Sequence, residues 1–352
     1  MLLTGLLLGA VLGFVMQRSR FCVTGAFRDV FVSRSTRWLT AFLIVIAIQS
    51  VGVAALQGAG VISPPSDALA LPAVVAGGLI FGVAIVLAGG CATGTYYRSG
   101  EGLIGSWIAL ALYGISAAAM KYGVLAGFTT WATSFTVPVT TIHASLGVSS
   151  WVMVAALGAV VLYLVRRHLA TPRLPLATLP SRRTGAARVL FEKPWGAFSA
   201  AVLVGLIAIV AWPLSTATGR ESGLGITTPS ADIVTYLVTG DPEVVDWGVF
   251  LVLGLLVGSF VAAKGSGEFR LRVPDGTTVV RSVIGGTGMG VGAALAGGCT
   301  IGAAMVDTAQ FSYQGWLAFG CMVLGVGLGT RAFVLRRPLT AGRSTTPVGA
   351  AA

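Results

Sequence analysis

Charged residues are scarce in this chain. Only 10% of its 352 residues are Asp, Glu, Lys or Arg, whereas a soluble domain carries about 25%. This deficit excludes a protein surrounded by water, and long apolar runs recur from end to end. Because a backbone in lipid must satisfy its own hydrogen bonds, each run is predicted to be a helix. The sequence therefore predicts an all-α polytopic membrane protein embedded in a lipid bilayer.

Residues and motifs that commonly carry enzyme chemistry are also scarce. The sequence has four cysteines and two histidines, and no cysteine pair has Cys-x-x-Cys spacing. This excludes a thioredoxin-like redox site, and the cysteines also lack the spacing of zinc ligands. The absence of a Gly-x-x-x-x-Gly-Lys-Ser/Thr loop excludes ATP hydrolysis by that machinery. We therefore expect a transporter rather than an enzyme, with no catalytic residue, no metal and no cofactor.

The net charge of +11 reflects basic residues in the short gaps between apolar runs. Basic loops of membrane proteins face the cytoplasm, so this charge does not indicate a nucleic-acid partner. Segments 166–193 and 264–281 and the end of the chain are basic, and they are predicted to be cytoplasmic. Segment 214–246 is acidic and predicted to be external. The N-terminus is then outside and the C-terminus cytoplasmic.

Nine apolar runs are predicted to be transmembrane helices. They cover residues 2–16, 38–57, 72–90, 104–120, 148–165, 196–213, 247–263, 282–297 and 315–333. The first and eighth are short of the roughly 20 residues that cross a bilayer, which favours broken or re-entrant helices. The predicted divisions are an N-terminal transmembrane half (1–165), a basic cytoplasmic linker (166–193), a C-terminal transmembrane half (194–335) and a cytoplasmic tail (336–352).

A repeated motif links the two predicted halves. The run Leu-Ala-Gly-Gly-Cys occurs at 87–91 and again at 295–299, and windows Gly77–Gly94 and Gly285–Gly302 share 10 of 18 residues. The first copy follows the third span, which heads inward, and the second follows the eighth, which heads outward. The copies therefore enter the membrane from opposite sides, which predicts an inverted repeat with a pseudo-twofold axis in the membrane plane.

The repeat is incomplete at the start of the chain. Gly9-x-x-x-Gly13 resembles Gly254-x-x-x-Gly258, which suggests that the first and seventh spans are counterparts. On that alignment Cys22 falls opposite Gly267. We therefore expect three cysteine sites rather than four.

Each of Cys22, Cys91 and Cys299 is followed three residues later by glycine. A short half-helix is predicted after each cysteine, and the N-terminus of a helix favours an anion. A thiol is a soft, weak donor that suits a sulfur-bearing anion and allows its release. The three cysteines are predicted to line one anion route, the cysteine path. Supporting residues are predicted to be Gly25, Gly89, Gly90, Thr93, Gly94, Gly297, Gly298, Thr300, Gly302, Arg28 and Arg98.

Other side chains near these motifs have open roles. Arg28 and Arg98 either attract an anion or mark the cytoplasmic end of a half-helix. Asp307 is either a proton-coupling group or a loop residue. Cys321 has no glycine three residues later, and it is predicted to be a packing residue.

The motifs LAGGCATG and LAGGCTIG, with the early FCVTG, resemble the YeeE/YedE family of bacterial inner-membrane proteins. The resemblance extends over nearly the whole chain. It implies thiosulfate uptake across the inner membrane, with Cys22, Cys91 and Cys299 passing the anion along by S–H···S contacts. It also implies a small cytoplasmic sulfur carrier of the TusA type as partner. Two alternatives stay open: another sulfur- or selenium-containing anion, and a membrane sulfurtransferase that forms a cysteine persulfide.

Overall fold

A computed structural model of the protein describes residues 1–65, 67–170, 184–193 and 195–335. Within these ranges the chain is helical and has nine helices long and apolar enough to cross a membrane. The long helices are α1 (Leu2–Ser19), α3 (Arg37–Gly58), α4 (Leu71–Leu87), α6 (Ile104–Lys121), α9 (Ser150–Ala170), α11 (Ala197–Thr216), α13 (Trp247–Ser266), α14 (Gly276–Leu295) and α15 (Tyr313–Thr330). The shorter elements are α2 (Val23–Val32), α5 (Ala92–Gly100), α7 (Ala126–Thr133), α8 (Ile142–Leu146), α10 (Gly185–Phe191), α12 (Thr227–Thr239), a 3₁₀ turn (Pro242–Val244) and π-helical turns (Gly302–Asp307 and Arg331–Leu335).

All nine predicted spans correspond to a long helix, so the all-α multi-span architecture is confirmed. The predicted shortness of the eighth span is wrong, because α14 has 20 residues and begins at Gly276. Its first turn is polar, and the hydroxyls of Thr277 and Thr278 donate to the Asp275 carboxylate just before it. The first span extends to Ser19 because Gln17 and the following polar residues are helical and buried. Polar residues at the helix ends therefore explain why the first and eighth apolar runs are shorter than the helices that contain them.

Helices α1 and α13 pack side by side through glycines. A methyl group at Gly9 would overlap the carbonyl of Leu251, and one at Gly258 would overlap that of Ala10. Residues further along α1 contact residues further along α13, so the two helices run parallel. Counterparts in an inverted repeat must run in opposite directions, and the suggested equivalence of the first and seventh spans is therefore wrong. The shared glycine spacing reflects close backbone packing instead.

Helices α4 and α14, which precede the two Gly-Gly-Cys motifs, cross each other in opposite directions. Gly77, near the start of α4, lies against Leu295 at the end of α14, and Gly285 lies against Ala88 at the end of α4. Helix α15 packs on α4 in the same way that α6 packs on α14. The two motifs therefore enter this four-helix core from opposite sides, because each follows the end of one of these antiparallel helices.

Helix α12 lies within the segment 214–246 that the sequence predicts as an external loop. It packs on α6 and α13, and its Thr227, Ser230 and Asp232 side chains are buried. Residues 171–183 of the predicted linker and the predicted tail 336–352 lie outside the described residues. Helix α9 extends to Ala170, into the start of that linker.

Candidate functional site

Cys91 begins the helix that follows the first Gly-Gly-Cys motif. Helix α4 ends at Leu87, and Gly89 turns the chain at a φ of 73°, a conformation that glycine adopts without a steric penalty. The guanidinium of Arg98 donates to the Gly89 carbonyl and holds this turn. Cys91 is the N-cap of α5, and its sulfur accepts a hydrogen bond from the Gly94 N–H at 3.4 Å. The thiol therefore lies at the positive end of a helix.

The second motif has a similar local structure. Gly297 has a φ of 80°, and the Cys299 sulfur accepts a hydrogen bond from the Ile301 N–H at 3.4 Å. The Cys299 carbonyl accepts from the Ala303 N–H at 2.9 Å and from the Ala304 N–H at 3.4 Å, and the second bond, which spans five residues, starts the π-helical turn. Gln314 lies over Gly297, where Arg98 lies over Gly89 in the first motif. The predicted half-helix is thus only six residues long in this copy.

Cys22 joins the first motif. It is the N-cap of α2, and its thiol interacts with the thiol of Cys91. A methyl group placed on Gly94 would lie 3.4 Å from both sulfurs. The Cys91 thiol in turn lies near the side chain of Thr300. Two of the predicted cysteines, together with the residue beside the third, therefore come together in one buried region.

Two tyrosines approach Cys299 from the other side. The Tyr113 side chain interacts with the Cys299 thiol, and its hydroxyl donates to Thr227 at 2.8 Å. The Tyr96 hydroxyl hydrogen-bonds Ser230 at 2.8 Å. Helix α12 thus fixes both rings. Sequence reasoning missed Tyr113, although a phenol in the middle of an apolar span is a signal, because a buried hydroxyl needs a partner.

Three threonine hydroxyls beside the cysteines are buried without a hydrogen-bond partner. They belong to Thr24, Thr93 and Thr300, whose side chains are 4%, 0% and 0% exposed. The sequence singled out Thr93 and Thr300 but missed Thr24. The repeated spacing was a usable signal, since Thr24 follows Cys22 as Thr93 follows Cys91.

The two predicted arginines differ in position. Arg98 lies near the Cys22 and Cys91 thiols, as well as capping the Gly89 turn. Arg28 is half-exposed, and its guanidinium lies 4.0 Å from the Asp29 carboxylate. Its predicted role beside the cysteines therefore has no support in the contacts of the described residues.

The remaining predicted glycines differ in how tightly they are enclosed. A methyl group at Gly298 would lie 2.8 Å from the Ala303 nitrogen, and one at Gly90 would lie 3.3 Å from the Arg98 guanidinium. At Gly25 it would meet only Cys22, and at Gly302 it would meet open space. The double glycines are therefore needed for close packing at the turns, whereas the glycine after Cys299 leaves room.

Cys321 lies away from these motifs, on α15. Its Cβ packs against Gly78 of α4, where an added methyl group would lie 2.7 Å away. This is a helix–helix contact of a small side chain, as the sequence predicts for this cysteine.

Polar groups lie at the two ends of the four-helix core. At one end Gln17 donates to Glu101 at 3.2 Å and to Glu268 at 2.7 Å. At the other end a cavity of about 90 Å³ is lined by Asp67, Trp212 and Asp307, among others. Among the described residues, no group of three His, Cys, Asp or Glu could hold a metal ion.

Asp307 should make stability depend on pH. It lies outside the nine candidate spans, and burial, with the nearby Asp67 carboxylate, raises the pKa of Asp307 to about 7. The native carboxyl then keeps its proton between pH ~4 and ~7 while the unfolded chain loses it, so stability falls as pH rises through this window. Asp307→Asn should therefore raise the thermal midpoint in detergent more at pH 8 than at pH 5, because the cost it removes is about 4 kcal/mol at pH 8 and roughly 1–2 kcal/mol at pH 5.

The matched control for this prediction is Glu243→Gln, which removes an exposed carboxylate. It should leave the midpoint unchanged at both pH values. An equal effect of Asp307→Asn at pH 5 and pH 8 would contradict the assignment of this titration to Asp307.

Comparison with known proteins is consistent with this arrangement. The family model described as sulphur transport matches residues 18–328. The thiosulfate transporter TsuA of Escherichia coli K12 is 52% identical over 326 residues, which cover 93% of this chain and 93% of that protein. TsuA of Spirochaeta thermophila is 32% identical over 339 residues, which cover 92% of this chain and 97% of its own length.

A more distant relative matches a smaller region. The probable transporter YedE of Escherichia coli K12 is 39% identical over 102 residues, which cover 29% of this chain and 25% of that protein. The family model and both TsuA proteins extend over most of the chain, and residues 18–328 of the family match include all three Cys-x-x-Gly motifs. The chain therefore belongs to the sulphur transport family, the YeeE/YedE family that its cysteine motifs resemble.

Proposed function

We propose that the protein imports thiosulfate along the cysteine path formed by Cys22, Cys91 and Cys299. The observation that carries the proposal is the convergence of the Cys22 and Cys91 sulfurs at Gly94, where an added methyl group would lie 3.4 Å from each. Thr300, the neighbour of Cys299, lies near the Cys91 thiol. The similarity to two thiosulfate transporters supports the choice of substrate.

The physical basis is an anion site built from weak donors. Cys22 and Cys91 each cap a helix N-terminus, where the backbone dipoles favour negative charge. A thiol donates a weaker hydrogen bond than a hydroxyl and is more polarizable. An anion with a terminal sulfur is thus bound at each cysteine and still released to the next one, as permeation requires.

The charge pattern supports an orientation of the chain in the membrane. We place the protein in the bacterial inner membrane with its N-terminus outside, because the acidic segment 214–246 and the basic segment 264–281 flank α13. The opposite directions of α4 and α14 support an inverted repeat. Substrate then enters from the end that holds Asp307 and leaves from the end that holds Glu101.

A cytoplasmic acceptor would pull thiosulfate inward without a coupled ion. The YeeE/YedE resemblance suggests a TusA-like sulfur-carrier protein for this role. Co-purification of such a carrier with the full-length transporter in the presence of thiosulfate tests this partner.

The proposal is tested by uptake of sulfur-labelled thiosulfate in cells that lack other importers. We expect Cys91→Ser, Cys299→Ser and Cys22→Ser, and the corresponding alanine variants, to lose most of the uptake. Cys321→Ser and Cys321→Ala are the matched controls and should keep it, since this cysteine packs between α4 and α15. Equal uptake by all four sets of variants, at equal amounts of protein in the membrane, would overturn the cysteine path.

Two alternatives are separated by further measurements. Competition by other sulfur- and selenium-containing anions tests whether thiosulfate is the preferred substrate. Mass spectrometry of the purified protein after exposure to thiosulfate tests for a cysteine persulfide. A stable adduct of one sulfur atom on a path cysteine would favour the sulfurtransferase over a permease.

A further inference from the structure

Three buried hydroxyls in the cysteine path have no hydrogen-bond partner among the described residues. Thr24, Thr93 and Thr300 each follow a path cysteine by one or two residues, and the hydroxyl oxygen of each is buried without a hydrogen bond. Buried polar groups are nearly always hydrogen-bonded, because an unpaired one is costly in a low-dielectric interior. Three such groups beside three cysteines therefore indicate a ligand that is absent from the fold itself.

The positions of Thr24 and Thr93 explain why their hydroxyls are unpaired. Thr24 and Thr93 lie in the first turns of α2 and α5, where the carbonyl four residues earlier belongs to the preceding turn rather than to the same helix. Thr95 lies two residues after Thr93, and its hydroxyl donates to the Cys91 carbonyl at 2.9 Å. Thr308 is satisfied similarly by Ala304 at 3.0 Å. Thr95 and Thr308 are thus paired with a carbonyl of their own helix, whereas the hydroxyls beside the path cysteines are not.

Thr300 connects the two halves of the site. Its side chain lies near the Cys91 thiol, although the two groups lack the geometry of a hydrogen bond. The Cys91 thiol also contacts that of Cys22. A bound anion in this region would therefore meet thiols from one half and a free hydroxyl from the other.

We propose that Thr24, Thr93 and Thr300 donate their hydroxyl hydrogens to the oxygen atoms of the transported anion, while the thiols contact its terminal sulfur. The inference rests on the proposed function and deepens it, because it assigns substrate selectivity. Hydroxyls are stronger donors than thiols to oxyanion oxygens. The threonines then select a sulfur oxyanion over hydrosulfide, which has no oxygen to accept their hydrogen bonds.

The test replaces each threonine by valine, which keeps the shape and removes the hydroxyl. We expect the KM for labelled thiosulfate to rise about tenfold or more for each variant, since hydrogen bonds to charged groups are the stronger ones. The serine variants keep the hydroxyl and should restore KM to near the wild-type value. Thr308→Val is the matched control, because it removes a buried hydroxyl that is already paired.

A second measurement separates binding from folding. Without substrate, the purified valine variants should unfold at the wild-type temperature or above it, because removing an unpaired buried hydroxyl relieves a cost. The upward shift of the unfolding temperature by thiosulfate should shrink in these variants but not in Thr308→Val. Hydrosulfide should not compete with thiosulfate in the wild type, and sulfite should.

The possible failures are distinguishable. If wild-type protein shows neither thiosulfate uptake nor a thiosulfate-dependent shift, the proposed function itself is wrong. If wild type shows both, and all three valine variants keep their KM and their shift, the hydroxyl assignment is overturned. Where a valine variant is not produced in folded form, the alanine variant is measured by the same shift, with the same expected loss.

Discussion

Replacing Gly94 by alanine should block thiosulfate uptake and leave the protein folded. The added methyl group would lie 3.4 Å from the Cys22 sulfur and 3.4 Å from the Cys91 sulfur, an ordinary packing distance. The methyl group therefore introduces no steric strain. It does occupy the gap through which the anion is proposed to pass. Alanine also favours the α5 helix over glycine by up to about 1 kcal/mol. We expect uptake to fall by roughly tenfold or more, because a close-packed constriction has no spare volume.

Uptake of labelled thiosulfate, normalised to the amount of protein in the membrane, measures this effect. Gly158→Ala is the matched control: it makes the same change in α9, where the methyl group would meet no other atom. It should transport as wild type does. Full uptake by Gly94→Ala would show that the anion does not pass between these two sulfurs.

The sequence is sufficient to predict the number of long helices and the cysteines of interest. Both depend on local patterns: apolar runs mark the spans, and the repeated Cys-x-x-Gly marks the helix starts at Cys22 and Cys91. The predicted length of α14 is wrong because its first two turns contain threonines and Arg281, which are polar and still helical. Helix ends of this kind are defined by packing and capping rather than by hydropathy.

Contacts between distant segments could not be predicted. The pairing of Cys22 with Cys91 joins two helix starts about seventy residues apart in the sequence. The approach of Tyr113 to Cys299 depends on α12, which reads as a loop because it is polar and short. No local pattern specifies which buried hydroxyl finds a partner, so the unpaired state of Thr24 is visible only in the fold.

The glycine motif of α1 and α13 shows how one pattern has two explanations. Equal spacing in two helices is compatible with descent from a repeat and with direct packing of one helix on the other. Only the direction of the helices decides, and α1 and α13 run parallel with backbones in contact. This contact also positions Cys22, because α1 ends three residues before that cysteine. The glycines of α1 and α13 therefore contribute both to the stability of the protein and to the position of Cys22.

Gly258→Ala should strongly destabilise the protein. The new methyl group would overlap the carbonyl, carbonyl carbon and Cα of Ala10, all backbone atoms that cannot rotate away, so α1 and α13 must separate. Overpacking costs about 1–3 kcal/mol and occasionally more, and a clash with backbone belongs at the upper end. We expect a clear fall in the thermal midpoint in detergent and a weaker thiol contact between Cys22 and Cys91, measured as slower cross-linking by a short bifunctional thiol reagent. Gly320→Ala, whose methyl group meets no other atom, should change neither, and an unchanged midpoint for Gly258→Ala would contradict the packing of these two helices.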